Sequence, residues 1–77
     1  MPKAYVLINC KTGYETLVSK NIQSIKDNVL TCNIVYGEYD IIVEIKFDTL
    51  RQLEYIIQKK IRMINNVTST MTLIPYN

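Results

Sequence analysis

The segments DNVLTCNIVY (27–36) and NNVTSTMTLI (65–74) open alike, and each follows a stretch whose apolar residues recur at helical spacing. This internal repeat constrains the fold more than any other feature. It divides the 77 residues into two strand–helix–strand halves. In the first half, KAYVLINC (3–10) alternates as a strand. TGYE (12–15) has the form of a capping box, with Thr12 as N-cap and Glu15 three residues on. Val18, Ile22 and Ile25 then repeat at i, i+4, i+7 with Leu17 beside them, and KDN (26–28) is a stop signal before a second strand over 29–36. Gly37-Glu38 predicts a two-residue hairpin of type II′, because glycine tolerates the positive φ which that turn needs at its first position.

The second half runs in the same order. A third strand is predicted over 39–47, followed by Asp48-Thr49 as a helix cap. Leu50, Leu53, Ile57, Ile61 and Ile64 form one helical face. Asn65-Asn66 ends the helix, since asparagine accepts the left-handed conformation, and residues 67–74 form a fourth strand. Two split βαβ units with right-handed crossovers close into one arrangement. It is an α+β, ferredoxin-like βαββαβ plait, a four-stranded antiparallel sheet with both helices on one face. The whole chain, 1–77, reads as a single domain.

The strands carry more apolar residues than two helices can cover. Strand one has Ala4, Val6 and Ile8 on one face and Tyr5 and Leu7 on the other, and Ile42 of strand three joins the second set. A chain this short buries about 60% of its unfolded surface, and its own core supplies ~3–5 kcal/mol. A staple is therefore expected. Cys10 and Cys32 both lie inside apolar runs and read as buried thiols in a reducing compartment. With no histidine and no Cys-x-x-Cys, no metal or other cofactor is expected. A partner chain remains, and the uncovered sheet face predicts a homodimer packed sheet to sheet.

Charge and composition narrow the function. Nine Lys/Arg against seven Asp/Glu give +2, and the one basic cluster, Lys59-Lys60-Arg62, suits the end of a helix. No concentrated basic face points to nucleic acid. No run is apolar for long enough to span a membrane and no signal peptide is visible, so a cytoplasmic location is expected. Enzyme signals are poor, and the carboxylates Glu38, Asp40 and Glu44 read as a solvated hairpin end. Binding signals are better. Thr68, Thr70 and Thr72 point to one face, away from the helices if Val67, Met71 and Leu73 point toward them, and their hydroxyls can donate and accept. The hairpin Gly37-Glu38-Tyr39-Asp40 offers backbone N–H groups and a carboxylate, complementary to a zwitterion.

The pattern AYVLIN…TGYE…VYGEYDIIVEI…KIRMINNVTSTMTLI resembles the effector-binding (RAM) domain of the Lrp/AsnC family of transcription regulators over about residues 4 to 74. Gly37-x-x-Asp40 and Val67-x-x-Thr70-x-Thr72 are the specific parts. The resemblance implies dimers that pair through their sheets and associate further, commonly into octamers. It implies a small effector, usually a free amino acid, held between dimers by Gly37, Glu38, Tyr39 and Asp40 of one subunit and Thr70 and Thr72 of an adjacent one. Members with a DNA-binding half carry an N-terminal helix-turn-helix. This sequence opens directly on its first strand and is similar to the stand-alone form found in prokaryotes, particularly archaea. Such a module acts on transcription indirectly, by ligand-linked assembly or by joining full-length regulators, without direct contact to nucleic acid. Asn65-Asn66 departs from the family, which often has Pro-Gly there. Two other readings stay open: an ACT-like regulatory subunit of a biosynthetic enzyme, with its site near Gly13, and a small dimeric α+β enzyme.

Overall fold

The computed structural model describes residues 2–76. Its strands are β1 (Lys3–Cys10), β2 (Val29–Ile34), β3 (Ile41–Lys46) and β4 (Val67–Leu73). Helix α1 is Glu15–Gln23, and α2 is Leu50–Tyr55, continued by a wider π-helical stretch over Ile56–Ile61. The sheet order is β2-β3-β1-β4 and all neighbours are antiparallel. This is the ferredoxin-like plait expected from the repeat.

The alternation in the central strands sets the two faces. Ala4, Val6 and Ile8 of β1 and Ile41, Val43 and Ile45 of β3 are fully buried. They meet Val18 and Ile22 of α1 and Leu53, Ile56, Ile57 and Ile61 of the second helix in one core. The wider π turn lets Ile56 and Ile57 bury together with Ile61. The residues between, Tyr5, Leu7, Ile42 and Glu44, lie on the face without helices and are half-buried.

Four local expectations are corrected. The capping box at Thr12 and Glu15 does not form. Tyr14 N–H donates to Lys11 O at 3.0 Å, so Thr12 and Gly13 form a turn, with Gly13 at φ +94°. The helix starts after it, Tyr14 stands at the N-cap without a side-chain cap, and Glu15 instead accepts from Gly13 N–H at 3.1 Å. Leu17 is 51% exposed and lies off the core face. Leu50 likewise is 60% exposed, because it lies on the outer rim of α2 rather than on the stripe of Leu53 and Ile57.

The fourth concerns the β2–β3 hairpin, which is longer than two residues. Val35 N–H donates to Asp40 O at 2.9 Å and closes a loop of Tyr36, Gly37, Glu38 and Tyr39. The reason is that residue 40 is held elsewhere: Asp40 N–H donates to Ile8 O at 3.0 Å, and the Asp40 carboxylate accepts from Cys10 N–H at 2.9 Å. Gly37 adopts φ +129°, so the glycine is needed for its conformation, though not in a type II′ turn. The caps of the second half match expectation. Thr49 Oγ1 accepts from Gln52 N–H at 3.1 Å, Gln52 Oε1 accepts from Asp48 N–H, and Asn66 is left-handed at φ 77°.

Candidate functional site

The strand-four threonines lie on the face opposite to the one the alternation predicts. Cys10 pairs with Val67 and Asn9 with Ser69, so Thr68 is an extra residue at a bulge. Beyond the bulge the parity is reversed. Ile8 faces Thr70 and Val6 faces Thr72, which puts both threonines on the helix side, while Met71 and Leu73 turn to the open face. Val67 packs against the core as expected.

Thr70 and Thr72 thereby become the floor of a groove of about 380 Å³ between α2 and β4. Its deep wall is Leu53 and Ile57, and its outer rim is Leu50, Glu54, Gln58 and Arg62, spaced four apart along the helix. Ile74 closes the side beyond β4. Glu54, Gln58 and Ile74 carry no role in the sequence reading, which takes Leu50 as part of the core stripe and Arg62 as part of a basic cluster at the helix end. The four-residue spacing of the rim was visible in the sequence, but the bulge that aims Thr70 and Thr72 at it was not.

The hairpin residues form a second, separate groove. Gly37 and Asp40 line about 370 Å³ together with Glu15, Thr16, Ile34, Val35 and Tyr36, against the start of α1. Asp40 is half-buried, and Oδ2 is engaged by Cys10 N–H. Burial first, then the nearby Asp40 and Glu15 carboxylates, push the Cys10 thiol above its ordinary value, so it stays protonated and inert. Gly37 and Glu38 are exposed. Tyr39 leaves the groove, crosses the open face and brings its hydroxyl to Met71 Sδ at 3.5 Å. Within one chain, therefore, Gly37 and Asp40 are together, Thr70 and Thr72 are together, and the two pairs are not brought to one site.

The open face carries one charged cluster. Lys3 Nζ lies 2.7 Å from Glu44 Oε2, and Thr31 Oγ1 donates to Glu44 Oε1 at 3.3 Å. The hydrogen bond from Lys3 holds the Glu44 carboxyl below its ordinary value, and the same bond holds the Lys3 ammonium above its own. Glu44 is thus tied to strand pairing, not to a carboxylate pair with Asp40. Among the described residues there is no group of three or more metal-ligating side chains, and no helix is long and apolar enough to cross a membrane.

Known proteins bear on this geometry. The family model of the Lrp/AsnC ligand-binding domain matches residues 3–77. The hypothetical protein PHS023 from Pyrococcus horikoshii is 35% identical, with 97% of this chain and 89% of that one superposing at a TM-score of 0.88. The feast or famine regulatory protein of M. tuberculosis, solved in complex with L-methionine, is 25% identical, with a TM-score of 0.81 over all of this chain and 51% of that one. AsnC of E. coli, 22% identical, shares the fold at a TM-score of 0.91, with 99% of this chain matched to 51% of it. No curated protein matches the chain. With the family model covering the chain from β1 to its last residue, on a plait of the matching topology, this chain belongs to the Lrp/AsnC ligand-binding domain family.

Proposed function

We propose that the chain is a non-enzymatic regulatory module that binds a free amino acid between subunits. The observation that carries this reading is the division of the polar groups. The hairpin Gly37-Glu38-Tyr39-Asp40 and the Thr70–Thr72 groove belong to different parts of one chain, so a complete site needs two copies. The hairpin supplies backbone N–H groups for a carboxylate. Glu54, which has no ion-pair partner among the described residues, and the free oxygen of Asp40 supply negative charge for an ammonium. Thr70 and Thr72 supply hydroxyls that donate or accept as required. The L-methionine held by the mycobacterial relative supports the ligand class.

Assembly follows from the same surfaces. The open face, with Tyr5, Leu7, Ile42, Met71 and Leu73, packs on a second copy to form a dimer. Dimers then associate, as an octamer or another even-numbered ring, and complete the ligand sites. An amino acid bound there stabilises the assembled form by mass action. Such a module modulates transcription indirectly, through its own assembly or through full-length relatives, and without contacting nucleic acid itself. It works in the cytoplasm.

A thermal-melt screen against the twenty amino acids tests the reading. Ligand at about 100 Kd adds ~2.7 kcal/mol, and a domain of this size shifts by roughly 4–8 °C per kcal/mol. One or a few amino acids are expected to raise the melting temperature by several degrees. A flat response to all twenty would exclude amino-acid binding.

A further inference from the structure

The α2–β4 groove has two unlike ends. β3 and β4 both run antiparallel to β1, and α2 returns between them, so the start of α2 lies against the end of β4. At that end stand Leu50, Leu53 and Ile74, all apolar. At the other end stand Gln58, Arg62 and Thr70. Glu54 lies between them. An amino acid whose ammonium is held at Glu54 can therefore direct its side chain in one of two ways. It can lie against the apolar end, or it can reach an amide and a guanidinium.

We propose that the effector's side chain occupies the apolar end, and that Leu50 and Ile74 restrict the effector to uncharged amino acids of about leucine or methionine size. This deepens the amino-acid reading above and rests on it. Leu50 is 60% exposed and Ile74 is 51% exposed, although both flank the deep wall of Leu53 and Ile57. Covering them removes apolar surface from water on both sides of the ligand, which is favourable in proportion to area. The competing end offers less. Arg62 and Gln58 are exposed, so a side chain reaching them exchanges water for a partner of similar strength and buries little apolar surface. A charged side chain placed at the apolar end would lose its hydration with no partner.

The groove also matches the occupant in charge and size. Glu54 has no ion-pair partner among the described residues and is exposed, so it is free to orient an ammonium, while the apolar end supplies most of the affinity. The volume of about 380 Å³ admits a whole aliphatic amino acid and leaves room for a neighbouring hairpin to close over it. Leu50 and Ile74 lie outside the core, so both can be replaced without opening a cavity in it.

The test is calorimetric titration of the assembled protein with L-leucine, L-methionine, L-glutamate, L-glutamine and L-lysine. Leucine or methionine is expected to bind tightest. Ile74→Ala and Leu50→Ala are each expected to weaken that ligand by ~10-fold or more, the usual effect of removing apolar groups from a specificity pocket. Leu50→Lys, which puts a cation at the apolar end, is expected to abolish leucine binding while the melting temperature without ligand stays close to that of the parent. Tight binding of glutamate or glutamine, lost in Arg62→Ala, would put the side chain at the other end and overturn this assignment while leaving amino-acid sensing intact. Heat from none of the five, together with a flat melting screen, would overturn both.

Discussion

Asp40 has a structural role and a proposed ligand-binding one, and one substitution pair divides them. Its Oδ2 accepts from Cys10 N–H at 2.9 Å, which ties the hairpin to the end of β1. Asp40→Ala leaves that half-buried donor unpaired, at a cost of ~1–2 kcal/mol. Asp40→Asn keeps an acceptor oxygen and is expected to melt close to the parent. It removes the negative charge, however, so it should still weaken amino-acid binding. Melting curves of both variants, with and without ligand, check this, and normal ligand response in Asp40→Asn would confine the residue to a structural role. Glu44 gives a pH prediction. Its folded pKa lies below its unfolded one, chiefly through the Lys3 hydrogen bond, so its contribution is complete above the unfolded carboxylate range. The contribution is lost as pH falls through the depressed folded value. The raised Lys3 pKa acts at the opposite extreme, being fully present below the unfolded lysine value and lost only as strongly alkaline pH passes the folded one. At neutral pH both are intact. Melting temperature should therefore fall on the acid side, and the slope there should be shallower in Glu44→Gln.

At the scale of elements, the long apolar periods were legible and the junctions were not. The stripe from Leu53 through Ile61 and the alternation of β1 and β3 reflect burial summed over many residues, and both match the structure. The hairpin length and the facing of Thr70 and Thr72 each turn on a single residue. Asp40 is drawn to β1 by two hydrogen bonds, and Thr68 is inserted as a bulge. Neither depends on composition, because any polar residue could stand at a bulge, and a long-range hydrogen bond has no local signature. Parity beyond a bulge reverses, so one extra residue was enough to move the threonines from the open face to the groove. The caps differ in the same way. Thr49 caps Gln52 N–H, and the Gln52 side chain reaches back to Asp48 N–H, because the chain enters α2 extended, with Thr49 at φ −132°, whereas Thr12 is taken up by a turn. Thr49→Ala is accordingly expected to destabilise the fold by ~1 kcal/mol, and Thr12→Ala by much less. Paired denaturant titrations measure both, and an equal loss in the two would contradict the cap assignment.

For the whole molecule, the deciding question is what covers the open face. Tyr5, Leu7 and Ile42 are half-buried there, Met71 is 47% exposed and Leu73 is 48% exposed, so apolar side chains form a contiguous surface across β3, β1 and β4. The Tyr39 ring lies over part of it, and the Lys3–Glu44 pair marks one border. A surface of that kind on so small a domain costs stability unless a second sheet removes it from water. Stability and association are then one quantity, and the melting temperature should rise with protein concentration. Ile42→Glu places a charge at the centre of the face, between Leu7 and Asn33 in the register. In a free monomer that carboxylate is solvated at little cost. In a dimer it is buried without a partner, which costs several kcal/mol. The variant is therefore expected to sediment as a monomer, to melt lower than the parent, and to lose the concentration dependence of its melting. With the proposed ligand site completed only by a second copy, the variant should also lose the response to amino acids although every proposed ligand contact is intact. A variant that stayed dimeric and still responded would show that the subunits meet through some other surface.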